Sequence, residues 1–116
     1  AEASARRAEG EAATRRAEAE LTEALLSLRD SLRRVTLHED VLLPQAEAAY
    51  ESVLGAYRAS RASVAASLLS QRELLEIRMA LEEARAEHAI AWRRLERVVG
   101  RAVTKAPVDR GARDDR

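Results

Sequence analysis

From Leu21 onward, apolar residues recur along the chain in alternating steps of four and three. Leu21, Leu25, Leu28, Leu32, Val35, Leu42, Ala46, Ala49, Val53 and Ala56 share one stripe, with Glu39 filling the gap between Val35 and Leu42. Steps of this kind keep one helix face turned toward a partner and predict a left-handed supercoiled seam. Pro44 interrupts the stripe. A proline inside a helix removes a hydrogen bond and crowds the preceding turn, so a kink is expected near Val41 to Pro44. The stripe resumes in phase beyond it, which argues for a kinked helix rather than a helix end.

Upstream, Ala1 to Glu20 is built from Ala, Glu and Arg with one Gly. Glu2 with Arg6 and Glu11 with Arg15 are spaced i,i+4 and support a helix weakly, at about 0.2–0.5 kcal/mol each. Ala8, Ala13 and Ala17 form a narrow apolar stripe, and Gly10 costs about 1 kcal/mol relative to Ala, so fraying is expected there. Downstream, Tyr57 to Ser63 (YRASRAS) breaks the periodicity. Either Ser60 or Ser63 can cap a following helix by accepting a backbone N–H bond. The three-four steps then return in Leu74, Ile77, Leu81, Ala84, His88, Ala91, Leu95 and Val98. A second stripe of Leu68, Leu75, Met79, Ala86 and Ile90 lies beside them, so this helix can touch a partner on each side. Gly100 suits a C-cap. The expected division is 1–58, a first long helix kinked near Pro44; 59–63, a turn; 64–100, a second long helix; and 101–116, a disordered tail.

Folding the chain at Ser60 brings the two stripes together. Leu42 comes level with Ile77, Val35 with Ala84, Leu32 with His88, Leu28 with Ala91, Leu25 with Leu95 and Leu21 with Val98. The stripes stay matched over about 40 residues, a rod of roughly 60 Å at 1.5 Å per residue. Agreement at so many levels predicts an all-α fold, a long antiparallel helical hairpin of coiled-coil type. Residues 1–20 find no partner in this arrangement, which points to missing sequence or another subunit.

Composition narrows the picture further. In 116 residues aromatics are 3% and Phe is absent, so a bulky globular core is not expected, while 34% charged residues suit long helices in a shallow seam. Formal net charge is zero, which gives no general attraction to nucleic acid or anionic lipid. The longest aliphatic run, Val41 to Leu43, falls far short of the roughly 20 residues a membrane helix needs. No signal peptide is visible, and an initial Ala rather than Met suggests a processed product or a fragment. Without cysteine there is no disulfide or thiolate chemistry, which fits cytoplasm or periplasm alike.

Several pieces in order carry a resemblance. They are LPQAE (Leu43 to Glu47), the turn opened by Tyr57 with small and hydroxylated residues to Ser63, LLSQRELLE (Leu68 to Glu76), ARAEH (Ala84 to His88) and LERVVG (Leu95 to Gly100). Together, from Leu42 to Gly100, they resemble the C-terminal helical hairpin of the TolC-type outer membrane efflux proteins. Ala1 to Val41 matches only as the helix that precedes it. The resemblance implies a segment of a trimeric helical barrel in the periplasm of a Gram-negative cell. It also implies an outer-membrane β-barrel elsewhere in a homotrimeric full-length protein, and a tip that meets an adaptor protein and, through it, an inner-membrane pump. In that family the tip carries Val-Gly-Leu-Ser or Val-Gly-Thr. Ala59, Ser60 and Arg61 stand at the matching positions, with Ser in place of Gly. The chain departs from the family in having no barrel strand and one repeat only.

The tip residues Tyr57, Arg58, Ala59, Ser60, Arg61, Ala62 and Ser63 are the leading functional candidates. Their arginines suit hydrogen bonds to carbonyls or carboxylates of a partner hairpin, against the plainer alternative of a solvated turn. His38 and His88 suggest a metal site, but the hairpin separates them by about six residues, roughly 9 Å, too far to share an ion. A seam histidine with a polar neighbour is expected instead. His38-Glu39-Asp40 and Glu82, Glu83 and Glu87 are expected as solvated faces. No nucleophile–base pair, phosphate loop or metal-ligand spacing appears, so neither an enzyme nor a cofactor is expected. The rival to a channel segment is a free-standing coiled-coil scaffold or tether, which explains the heptads equally well.

Overall fold

The computed structural model describes residues 1–105. Within them the chain is helical apart from the turn. Helix α1 spans Glu2–Leu37, a π-helical turn spans His38–Leu42, α2 spans Leu43–Arg58, and α3 spans Val64–Lys105. The first three are continuous and form one arm; α3 returns antiparallel along it. At 1.5 Å per residue the first arm alone is about 85 Å long, and the molecule measures 86 Å by 15 Å in its longest and shortest extents. The hairpin is thus one helix thick. Helix α3 runs straight through Gly100, where a C-cap was expected, and continues to Lys105, the last described residue. The expected disordered tail lies, from residue 106 on, outside the described residues.

On α3 the seam falls on the predicted stripe. Leu74, Leu81, Ala84, Ala91 and Val98 are buried, and Ile77, His88 and Leu95 are half-buried. On the first arm Leu21, Leu28, Val35 and Leu42 line the seam half-buried. Leu25 and Leu32, expected between them, do not. They stay 48% and 51% exposed, while Ala24 (0%) and Ser31 (2%) take the inward positions. Steps of three and of four both satisfy a heptad, and here the arm is turned toward the smaller residues.

Two kinds of contact fix that rotation. Ser31 Oγ donates to the Leu28 carbonyl at 2.8 Å and lies 3.2 Å from His88 Nδ1. With its own hydrogen committed to Leu28, the hydroxyl accepts from Nδ1–H, so the most buried polar residue of the seam is satisfied on both sides. Ion pairs then clamp the edges: Arg34–Glu87 at 2.8 Å, Arg94–Glu23 at 3.4 Å, Arg85–Glu39 at 3.3 Å and Arg78–Glu47 at 3.8 Å. Each is exposed and contributes about 0.2–1 kcal/mol. Together they set orientation more than stability. Arg78 reaches across to Glu47 rather than to Glu82 one turn along its own helix, and Glu82 pairs with Arg85. Asp30 is held below the usual carboxylate range by the hydrogen bond from Arg33 and the charge of Arg34.

The kink expected at Val41 to Pro44 is a π turn. The Leu43 N–H bonds the His38 carbonyl, one residue further back than in an α-helix. A π turn widens the helix locally, which relieves the clash between a proline ring and the carbonyl four residues earlier. The wide turn also contains one residue more than an α turn, so the arm rotates by one residue's step across it. Of the stripe expected beyond it, Leu42, Ala46, Val53 and Ala56 are half-buried, but Ala49 is exposed and Tyr50, one residue on, is half-buried in its place, with Leu43 half-buried beside Leu42; the sequence Leu43, Ala46, Tyr50, Val53 is the base stripe displaced by one residue.

Residues 1–20 are exposed apart from Ala12. With Ser31 level with His88, Lys105, the last described residue of α3, comes level with Thr14.

Candidate functional site

The tip is built by two local motifs that close the hairpin in five residues, 59–63. Helix α2 ends in a Schellman arrangement. The Arg61 N–H bonds the Ala56 carbonyl at 2.7 Å and the Ser60 N–H bonds the Tyr57 carbonyl at 2.9 Å, the 6→1 and 5→2 pattern that satisfies the last carbonyls of a helix. This motif requires a left-handed residue, and Ser60 supplies it at φ 58°. Left-handed backbone costs an L-residue about 1–2 kcal/mol, because Cβ crowds the following carbonyl. Ser60→Gly is therefore expected to stabilise the hairpin by about 1 kcal/mol, read as a higher midpoint in urea at unchanged slope. An unchanged or lower midpoint would show that the Ser60 side chain contributes something the backbone geometry does not reveal.

Helix α3 begins with Ser63 as N-cap. Its Oγ accepts the Ala66 N–H at 3.1 Å, a cap of the kind that contributes about 1 kcal/mol. Of the two serines proposed as caps from the sequence, Ser63 holds that place, and Ser60 serves the end of the preceding helix.

These motifs fix the backbone and leave the side chains outward. Arg58, Ala59, Ser60, Arg61 and Ser63 are exposed, Tyr57 is 43% exposed and Ala62 is half-buried. Neither Arg58 nor Arg61 forms an ion pair among the described residues, so the end of the rod presents two exposed guanidinium groups and the partly exposed Tyr57. Such groups suit carboxylates and helix C-terminal carbonyls. Just behind the tip, a groove between α2 and α3 is floored by Tyr50, Leu54 and Leu75 and edged by Glu47 and Glu51.

Other candidates are placed apart. His88 is bonded to Ser31, and the His38 ring bonds the Arg34 carbonyl at 2.7 Å through Nδ1. Glu39 and Glu87 belong to interhelical ion pairs. On the second apolar stripe of α3, Leu75 borders the groove behind the tip, while Leu68, Met79 and Ile90 are the more exposed, Met79 at 64% and Ile90 at 66%. The chain matches no family model, no curated protein and no solved structure.

Proposed function

We propose that this chain is a periplasmic segment of a helical barrel in an outer membrane efflux channel, and that its tip docks an adaptor protein. The tip carries this proposal: a stiff, closed turn that holds Tyr57, Arg58 and Arg61 outward at the end of an 86 Å rod. Two further observations support it. Ser60, the left-handed residue of the turn, stands where the TolC-type family commonly has Gly, the residue that conformation favours. The exposed residues of the second apolar stripe of α3 give each hairpin a surface for a neighbour, as a barrel of hairpins needs. In the proposed assembly the full-length protein is a homotrimer, the adaptor links it to an inner-membrane pump, and hairpins shift against one another on opening.

Fractionation of the native gene product tests this directly. A product several times longer, trimeric and in the outer membrane, is the expected result. A product of this size in a soluble fraction would leave the scaffold alternative standing. Within a channel, charge reversal of Arg58 and Arg61 to Glu is expected to weaken adaptor co-purification by about tenfold or more, with circular dichroism unchanged. Undiminished capture would remove the tip from the interface.

A further inference from the structure

The base arm of α1 carries two stripes that fit a heptad equally well. The buried one comprises Leu21, Ala24, Leu28, Ser31, Val35 and His38. The other keeps Leu21, Leu28 and Val35 but takes Leu25, Leu32 and Glu39 for the remaining places, and the two leucines stand half-exposed at the seam's edge. Helix α2, the tip half of the first arm, repeats the choice: Tyr50 is half-buried and Ala49 exposed, while Leu42 and Leu43 are both half-buried. The buried pair of stripes is out of phase by one residue between the arms, and the π turn at His38–Leu42 absorbs that residue. The alternative pair runs from Leu21 to Ala56 in unbroken phase and needs no π turn.

We infer that the hairpin has two seam registers. The base and tip arms turn by about 50° in opposite senses, half of the roughly 100° step per residue, as the π turn relaxes to α. Helix α3 presents the same stripe to both. The second register gains Leu25 and Leu32 in the seam. Against that it gives up the Ser31–His88 bond and brings Glu39 from its ion pair with Arg85 into an apolar layer. An unpaired carboxylate is costly there, and so is Pro44 in a regular α-helix, so Glu39 and Pro44 together hold the hairpin in the register seen. Packed seams of this kind switch between discrete arrangements rather than deform smoothly.

Cysteine pairs test this cleanly, since the chain has none of its own. One heptad from Ser31 and His88, Ala24 and Leu95 lie level. In the full chain carrying Pro44→Ala, which frees the turn to close as α, the A24C/L95C pair reports the buried register and the L25C/L95C pair the second; the Leu95 change is common to both. Under dilute oxidised glutathione, intramolecular closure of A24C/L95C is expected to be the faster. Adding Glu39→Leu is expected to speed L25C/L95C by about tenfold or more and to slow A24C/L95C. Glu39→Gln, which removes the charge at nearly the same size, is expected to shift both rates in the same directions. Rates for L25C/L95C within about twofold with and without the Glu39 changes would overturn the proposal, as would equal acceleration of both pairs, which marks general loosening.

Discussion

Leu81→Asp is expected to lower the melting temperature of the hairpin by about 15 °C or more, whereas Leu32→Asp is expected to leave it within a few degrees. Both are leucines on heptad stripes, and hydrophobicity does not separate them. Burial does. Leu81 is 3% exposed in the middle of the α3 stripe, where full burial of a leucine contributes about 1.5–3 kcal/mol. Aspartate at that position forfeits this contribution and adds a desolvated carboxylate with no cation in the seam. The hairpin is one helix thick, so no second layer of core compensates. Leu32 is half in water already, and a carboxylate there keeps its hydration. Thermal melts followed by circular dichroism decide it. Equal damage from the two changes would mean that the seam passes through Leu32, in the register that lacks the π turn.

The contrast between the two arms shows where the sequence is a sufficient guide. Helix α3 is uninterrupted, and its three-four stripe runs from Leu74 to Val98 without a break in phase, so it can be placed from periodicity although Leu75 and Ile90 stand beside it. On α1 the periodicity is equally clear but ambiguous in phase. Leu25 outweighs Ala24 and Leu32 outweighs Ser31 on any scale of side-chain hydrophobicity, yet the smaller residues lie inside. Their selection rests on long-range pairs, Ser31 with His88 and Arg34 with Glu87, which local spacing does not encode. Pro44 signals a disturbance of the helix but not its kind, because a kink and an inserted residue have the same local cause. At the tip, the Ser63 cap follows from residue type and position, whereas the left-handed Ser60 does not, since serine is uncommon where glycine fits better.

The π turn makes an unusual deletion tolerable. Removing a residue from a helix rotates everything beyond it by about 100°, which ordinarily turns a seam away from its partner. Asp40 lies exposed inside the turn that already holds one residue more than an α turn. Its deletion lets that turn close as α while Leu28, Ser31 and Val35 on one side, and Ala46, Tyr50 and Val53 on the other, keep facing α3. Pro44 must be replaced in the same variant, because a proline in a regular α-helix costs about 3 kcal/mol. Deletion of Asp40 with Pro44→Ala is therefore expected to melt at or above the parent chain. Deletion of Glu83 with Pro44→Ala is the control. Glu83 is also exposed, but α3 is a regular α-helix with no wide turn to close, so its loss swings either Leu74, Ile77 and Leu81 or Ala84, Ala91 and Val98 out of the seam. A fall of about 15 °C or more is expected for that variant. Comparable losses from the two deletions would show that the arms are not offset by one residue, and that the half-exposed Leu25 and Leu32 have some other cause.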